Sequence, residues 1–508
     1  MRVALLHPPA APASGEPRPP DRSLLPELAL PAHESDLRRD LELDVILDAM
    51  AQRDPVLREI AHHGLLTGLR TVDAIRYRQH VLADCLRNPT VLREFYAVTA
   101  ESIRAERRAV VGRTNRSPEG VVRTAAGVLD QFVATLRRLR ALAADHGAAF
   151  RSDGLRDLMT ELTTGLDESY LDTVTDHLQR LRFRDGVLAS ARLGEGNRGT
   201  GYVVHDPLSR RRPWLPRLGA ARRAAAFEVA NYDEVGLREL AKLRGDALRD
   251  VAATLATATE HILGFLQSLR AELGFYVGCV NLSDALRRVG TPTCLPDPVQ
   301  PNGSVVCTAR GLRDIAVALQ PDTLAVGNDL DADGRQLVVV TGANSGGKST
   351  FLRSYGAAVL MMHAGMFVAA DSFTCDVFDG VVTHFPREED TSMQHGKLDE
   401  ELRRMSDVVA TLGRHDVVLC NESFATTDER EGAQLGSDIV RALCDAGHQV
   451  VLVTHLYSLA RDLLADGPPA LSLRAERDAA GVRTYRLVPG QPQPTSHGDD
   501  IYARVFSS

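Results

Sequence analysis

Val338-Val-Val-Thr-Gly-Ala-Asn-Ser-Gly-Gly-Lys-Ser-Thr350 is the stretch on which the fold turns. It contains Gly342-x4-Gly347-Lys348-Ser349, the pattern of a phosphate-cradling loop. Gly342, Gly346 and Gly347 permit a tight turn and let backbone N–H groups come close to phosphate oxygens. Lys348 has the reach to meet β- and γ-phosphates, and Ser349 has a hydroxyl for Mg²⁺. The apolar run Leu337 to Val340 predicts a buried strand, and a helix is predicted from Thr350 onward. A bound phosphate then sits at a helix N-terminus, where the dipole favours negative charge. The candidate nucleotide-binding residues are Gly342, Ala343, Asn344, Ser345, Gly346, Gly347, Lys348, Ser349 and Thr350.

The chain around this loop has 508 residues, enough for two to four domains. A formal net charge of −8 argues against coating nucleic acid by bulk charge, so any such contact needs a local basic patch. Seven cysteines are scattered without a CxxC pair, which points to neither a zinc site nor a disulfide framework. A reducing cytoplasm is the simplest setting. Val3 to Leu6 is too short for a signal peptide, and no stretch approaches a membrane span.

Residues 1–34 carry eight prolines between Pro8 and Pro31, which predicts an unstructured leader. Residues 35–292 read as helical. Ser117-Pro-Glu-Gly is a helix start, followed by Val121, Val128, Phe132, Leu136, Leu139 and Leu142 at helical spacing. A second long rod is predicted from Ser152 with Leu155, Leu158, Leu162, Leu166 and Leu178, and a third from Leu237 to Leu273. Between them, residues 186–223 break the pattern. Two strands are predicted around Gly194-Glu-Gly-Asn-Arg-Gly199, followed by Arg210, Arg211, Arg212, Trp214, Arg217, Arg222 and Arg223. That cluster is either a nucleic-acid patch or a solvated loop.

Residues 293–508 alternate short apolar strands with helices, the texture of a largely parallel α/β sheet with its ligand beyond the carboxyl ends. Asp416-Val-Val-Leu-Cys-Asn-Glu422 is an apolar strand ending in polar residues. Asn421 falls where a Mg²⁺-shell residue belongs, and Glu422 where a carboxylate would orient or deprotonate the attacking water. Val450-Val-Leu-Val-Thr-His455 ends in a histidine placed to sense the γ-phosphate.

Thr341-Gly-Ala-Asn-Ser-Gly-Gly-Lys-Ser-Thr-Phe-Leu-Arg353 resembles the Thr-Gly-Pro-Asn-Met-Gly-Gly-Lys-Ser-Thr-Tyr-Met-Arg of the MutS-type DNA mismatch-repair ATPases. Asn421-Glu422 resembles that family's Asp-Glu, Val453-Thr-His455 its Ala-Thr-His, and Leu487-Val-Pro-Gly490 with Ser496-His-Gly498 its Lys-Pro-Gly and Ser-Tyr-Gly. Thr426-Thr-Asp-Glu-Arg-Glu-Gly432 keeps the spacing of its following loop, and Asn328-Asp329 resembles its turn beside the adenine. The resemblance implies an α/β P-loop ATPase domain of the ABC/MutS type behind an all-α lever/core domain. It also implies ATP, Mg²⁺, DNA and a homodimer joined through the ATPase domains. Glu422 and His455 would be catalytic, Ser349 and Asn421 would hold the metal, and Asn328 would lie beside the nucleotide.

The chain departs from the pattern in three places. Asn421 replaces an acid. Asp390-Thr-Ser-Met-Gln-His-Gly-Lys-Leu398 keeps only Gly396 and Lys397 of a segment that reaches the partner's nucleotide in that family. No Phe-x-Glu mismatch-reading domain is visible, and the clamp is reduced to about residues 186–223. The expectation is a shortened MutS-like ATPase of DNA repair or recombination with no preference for a mismatch. The alternative is a nucleotide-gated structural clamp with little or no hydrolysis. A generic ABC-type ATPase is disfavoured, because no Leu-Ser-Gly-Gly-Gln follows the loop.

Overall fold

The structure is a computed structural model that describes residues 3–8, 30–110, 117–183, 187–195, 199–205, 233–387, 397–424, 428–479 and 481–493. The basic cluster at 210–223, most of the proline-rich leader, the 390–396 segment, Thr426 and Ser496-His-Gly498 lie outside them.

Helices come first: α1 (Glu34–Asp40), α2 (Leu43–Ala51), α3 (Pro55–Leu66), α4 (Val72–Arg87), α5 (Pro89–Val110), α6 (Pro118–His146), α7 (Asp153–Thr164) and α8 (Glu168–Arg180). Their starts follow capping chemistry. Asp54 accepts from Val56 N ahead of Pro55, and the Ser117 hydroxyl accepts from Gly120 N at 3.2 Å ahead of Pro118. The predicted second rod is two helices. Its leucine stripe crosses a break at Gly165-Leu166-Asp167, where a Cβ on residue 165 would meet the Glu161 carbonyl at 2.6 Å. Leu162, Leu166 and Leu171 are all buried in one core, so apolar spacing carries on through the break. An antiparallel hairpin, β1 (Leu188–Leu193) with β2 (Gly199–His205), precedes α9 (Glu234–Arg288). With 55 residues, α9 runs about 80 Å. Its first turns expose Val235, Leu237, Leu240 and Leu243, and its last third is buried against the other helices.

The sheets follow: β3 (Asp297–Val299), β4 (Cys307–Leu312), α10 (Ile315–Ala318), β5 (Asn328–Asp331), β6 (Leu337–Thr341), α11 (Lys348–His363), β7 (Ser372–Asp376), β8 (Val381–His384), α12 (Lys397–Thr411), β9 (Val417–Asn421), α13 (Glu429–Asp445), β10 (Gln449–Val453), α14 (Tyr457–Asp466), β11 (Ala470–Arg477) and β12 (Arg483–Pro489). One six-stranded sheet has the order β12-β11-β6-β10-β9-β8, parallel except for β12. Its central strands are buried on both faces, as a parallel sheet covered by helices requires. A four-stranded mixed sheet, β3-β7-β4-β5, lies outside the predicted pattern. Asn328-Asp329, expected in a turn, opens its edge strand β5. Among the described residues no helix is long and apolar enough to cross a membrane.

The leader does not behave as expected where it is described. Leu5 is completely buried and Leu6 nearly so. The Glu272 carboxylate accepts from the N–H groups of both. Tyr77 donates to Ala4 O at 2.6 Å and Tyr276 to Leu5 O at 2.5 Å. Arg78, fully buried, donates to Leu6 O at 2.9 Å and to Ala364 O, just past α11, at 3.1 Å. Proline density forbids a helix there, but extended chain with satisfied backbone groups packs well. Residues 3–8 therefore strap α4 to α9, and Arg78 of α4 joins that strap to the chain just past the helix that begins at the glycine loop.

Leu5→Ala should lower stability by about 2–5 kcal/mol, the range for emptying a buried leucine site. Thermal unfolding reads this as a lower midpoint, with Val45→Ala on an exposed helix face nearly unchanged.

Candidate functional site

Strand register builds the site. Val453 of β10 lies opposite both Val340 of β6 and Asn421 of β9, so the three parallel strands end level. Beyond those ends come Gly342, Glu422 and His455. Glu422 N donates to Val453 O at 2.8 Å, and Thr454 N to Val340 O at 3.1 Å, which extends the ladder to the predicted site residues.

The loop is held open by its glycines. Gly342 and Gly347 have φ of 116° and 93°, in the region that favours glycine. A Cβ at Gly346 would meet Ala343 O and the Ala475 side chain, each at 2.9 Å. Helix α11 begins at Lys348, two residues before the predicted start, which puts Lys348, Ser349 and Thr350 in its first turn. Asn344 and Ser345 form the exposed crest of the loop.

Lys348 is buried and folded back. Its Nζ donates to Gly342 O at 2.9 Å and Ala343 O at 3.2 Å, and lies 3.7 Å from Glu422 Oε1. Burial lowers its pKa, against the pull of Glu422. Ser349 Oγ donates to Asn421 Oδ1 at 3.0 Å, so the two predicted metal-shell residues meet. Glu422 Oε2 accepts from His455 N at 2.9 Å and lies 2.6 Å from His455 Nδ1. Burial pushes the Glu422 pKa up, but the hydrogen bond and charge of His455, together with Lys348, bring it below its ordinary value. The same bond raises His455, against its partial burial. The cluster is a carboxylate held between the Lys348 ammonium and the His455 ring.

Asn328, expected beside the nucleotide, bonds to the hairpin. Its Oδ1 accepts from Leu487 N at 2.7 Å and its Nδ2 donates to Tyr485 O at 3.4 Å, so it pins β12. That contact sets Tyr485 beside the loop, where its carbonyl would lie 3.2 Å from a Cβ on Gly347. Tyr485 has φ of 59° and is 51% exposed. Nothing in a lone tyrosine of a hairpin strand marks it, and sequence reasoning passed over it. It also passed over Glu401 of α12, which accepts from Phe424 N at 2.6 Å, and His384, whose Nδ1 lies 2.8 Å from Ser423 Oγ. These two brace the turn just after Glu422.

The residues fit a nucleoside triphosphate with its metal. The glycine loop leaves backbone room that side chains would fill, a buried lysine faces its carbonyls, and two neutral oxygens stand together at the strand end. Mg²⁺ keeps several waters and needs few protein groups beside phosphate oxygens, which suits Ser349 with Asn421. A nearby cleft of about 480 Å³ beside Asn328 suits phosphate less well, since Arg310, Arg313 and Arg486 there face Asp329, Asp331 and Asp371.

The Glu422–His455 pair has a definite pH window. Glu422 is depressed below 4.5, so its contribution is present above 4.5 and lost as pH falls through the folded value. His455 is raised above 6.5, so its contribution is complete below 6.5 and lost as pH rises through the folded value. An NMR titration should find the His455 midpoint above 6.5 and see it fall back toward 6.5 in Glu422→Gln.

Comparison with known proteins agrees with this geometry. The family model described as MutS2 N-terminal domain matches residues 70–289, and that described as MutS domain V matches residues 338–501. The chain is similar to the protein named Endonuclease MutS2 of Shouchella clausii, 28% identical over 375 residues, covering 72% of this chain and 43% of that protein. It is 30% identical over 177 residues to Endonuclease MutS2 of Brevibacillus brevis, covering 34% of this chain and 22% of the relative. It is 28% identical over 173 residues to the mitochondrial DNA mismatch repair protein mutS homolog of Sarcophyton glaucum, covering 34% and 17%. The matches thus span less than half the length of each of these relatives. One model falls on the helices and the other on the strands that carry the loop, Glu422 and His455, and on that ground the chain belongs to the MutS-type family.

Proposed function

We propose that the chain is a DNA-binding P-loop ATPase of the ABC/MutS type that acts in repair or recombination as a homodimer joined through its ATPase domains. The observation that carries the reading is the meeting of Ser349 with Asn421 at 3.0 Å, beside a Glu422 fixed by Lys348 and His455. ATP with Mg²⁺ supplies the γ-phosphoryl group and neutralises part of its charge. Gly342 to Thr350 hold the phosphates, Ser349 and Asn421 hold the metal, and Tyr485 offers an exposed ring for the base. Lys348 exchanges its carbonyl partners for phosphate oxygens. Glu422 orients the attacking water and takes its proton late. A carboxylate with a depressed pKa is a weak base, which suits a loose phosphoryl-transfer transition state that needs little proton removal beforehand. His455 keeps Glu422 aimed.

Steady-state ATPase assays with and without duplex DNA test the whole reading. Glu422→Gln should retain ATP binding and lose turnover by roughly 100-fold or more, the scale of a lost acid–base group. Turnover at the parent rate would move the water-handling role to another residue.

The second reading, a nucleotide-gated clamp that scarcely hydrolyses, is favoured by one observation. The metal pair Ser349–Asn421 is neutral. Asn421→Asp should raise the rate at low Mg²⁺ and lower the Mg²⁺ needed for half-maximal activity, because it restores charge next to the ion. Superimposable Mg²⁺ titrations of the two proteins would show that a carboxylate at this position contributes nothing.

A further inference from the structure

Far from the phosphate loop, where α6, the end of α8 and α9 meet, the fold encloses a second cleft of about 450 Å³. That is within the roughly 300–1,000 Å³ typical of small-molecule sites. Its floor is apolar, from Val122 and Ala126 of α6 with Phe183 and Val187 from the approach to β1. Its rim is basic, with one arginine from each of three separate segments. Arg123 comes from α6, Arg182 follows α8, and Arg244 comes from α9. Two of them are partly neutralised, since Arg123 pairs with Glu119 at 3.3 Å and Arg182 pairs with Asp130. Arg244 forms no ion pair among the described residues. The cleft therefore combines an apolar floor, the Phe183 side chain and, beside the Arg123–Glu119 pair, an Arg244 with no ion pair among the described residues.

That combination has a definite chemical complement. The ligand must present a flat, largely apolar face to Phe183 and a negative charge to Arg244. A nucleotide does both, through its base and its phosphate. Paired bases in a duplex keep their faces stacked on one another, so only an unstacked nucleotide offers a face to the slot. We propose that this cleft takes one unstacked nucleotide of single-stranded DNA, base on the floor and phosphate on the arginine rim. The inference rests on the DNA-binding reading above only for its choice of polymer.

Gly127 provides a clean test. It lines the cleft within α6, and a Cβ built on it meets nothing within 4 Å. A side chain there starts in open space at the cleft wall, and replacing a mid-helix glycine favours the helix. The probes for the full chain are a labelled short oligothymidylate and a labelled matched duplex. Fluorescence anisotropy is followed across a salt series. Gly127→Leu should weaken oligothymidylate binding by roughly tenfold and leave duplex binding unchanged, the scale of one lost stacking contact. Arg244→Ala should reduce the single-strand salt slope by about 0.7, the value of one phosphate contact. Oligothymidylate affinity within twofold of the parent in both variants overturns the proposal, as does a parent chain that binds duplex but no single strand. Displacement of the oligonucleotide by thymidine monophosphate at equal concentration also overturns it, since the cleft would then serve a free nucleotide. A parent chain that binds neither polymer sinks the broader DNA-binding reading instead, which keeps the two failures distinct.

Discussion

Everything at the candidate site depends on one constraint, the register of three parallel strands. Parallel pairing sets Val340, Asn421 and Val453 level with one another, so the residues that follow each strand emerge at one edge. Were β9 shifted by one residue, Glu422 would change faces and Asn421 would leave Ser349, because side chains alternate along a strand. The register is firmly specified, since β6 and β10 are buried throughout and β9 is buried up to Asn421. The hydrophobic core of the sheet thus fixes a polar geometry that no hydrogen bond among the site residues could hold alone.

A second dependence runs the other way, from the site to the helices. Helix α11 starts at the loop with Lys348 and ends at His363, a rod of 16 residues and about 24 Å. At its far end Leu69 N donates to His363 O at 2.7 Å, and Arg78 bonds Ala364 O and Leu6 O together. A Cβ on Gly365, at φ 68°, would meet the Arg78 side chain at 2.7 Å. One end of the rod lies at the glycine loop, and at the other Arg78 of α4 ties the chain just past it to Leu6.

The fold was legible in the sequence wherever a strong local pattern coincided with a buried element. The run Leu337 to Val340, the Asp416 to Cys420 strand and the hairpin near Asp478 all carry their own periodicity and stops. Boundaries were less legible. Leucine spacing runs through Gly165-Leu166-Asp167 because α7 and α8 share one core, so a single rod and two helices look alike. The strap was hidden because prolines signal only what a segment cannot be, while Leu5 is buried by partners more than 70 residues away. Within the site, Lys348, Ser349 and Glu422 were readable from motif spacing. Tyr485 and the hairpin-pinning use of Asn328 were not, since both depend on how β12 passes the loop.

Asparagine at position 421 bears on more than metal affinity. A carboxylate there would stand one residue from Glu422 and within reach of the same cations. Like charge so close raises a carboxyl pKa and divides the cations between two anions. With Asn421 neutral, Lys348 and His455 both act on Glu422, and its pKa falls below the ordinary value despite burial. On the ATPase reading, a Lys348 drawn to phosphate would leave His455 as the remaining partner of Glu422, beside a metal ion that brings its own charge. A neutral Asn421 thus leaves Lys348 and His455 directed at one carboxylate rather than shared between two.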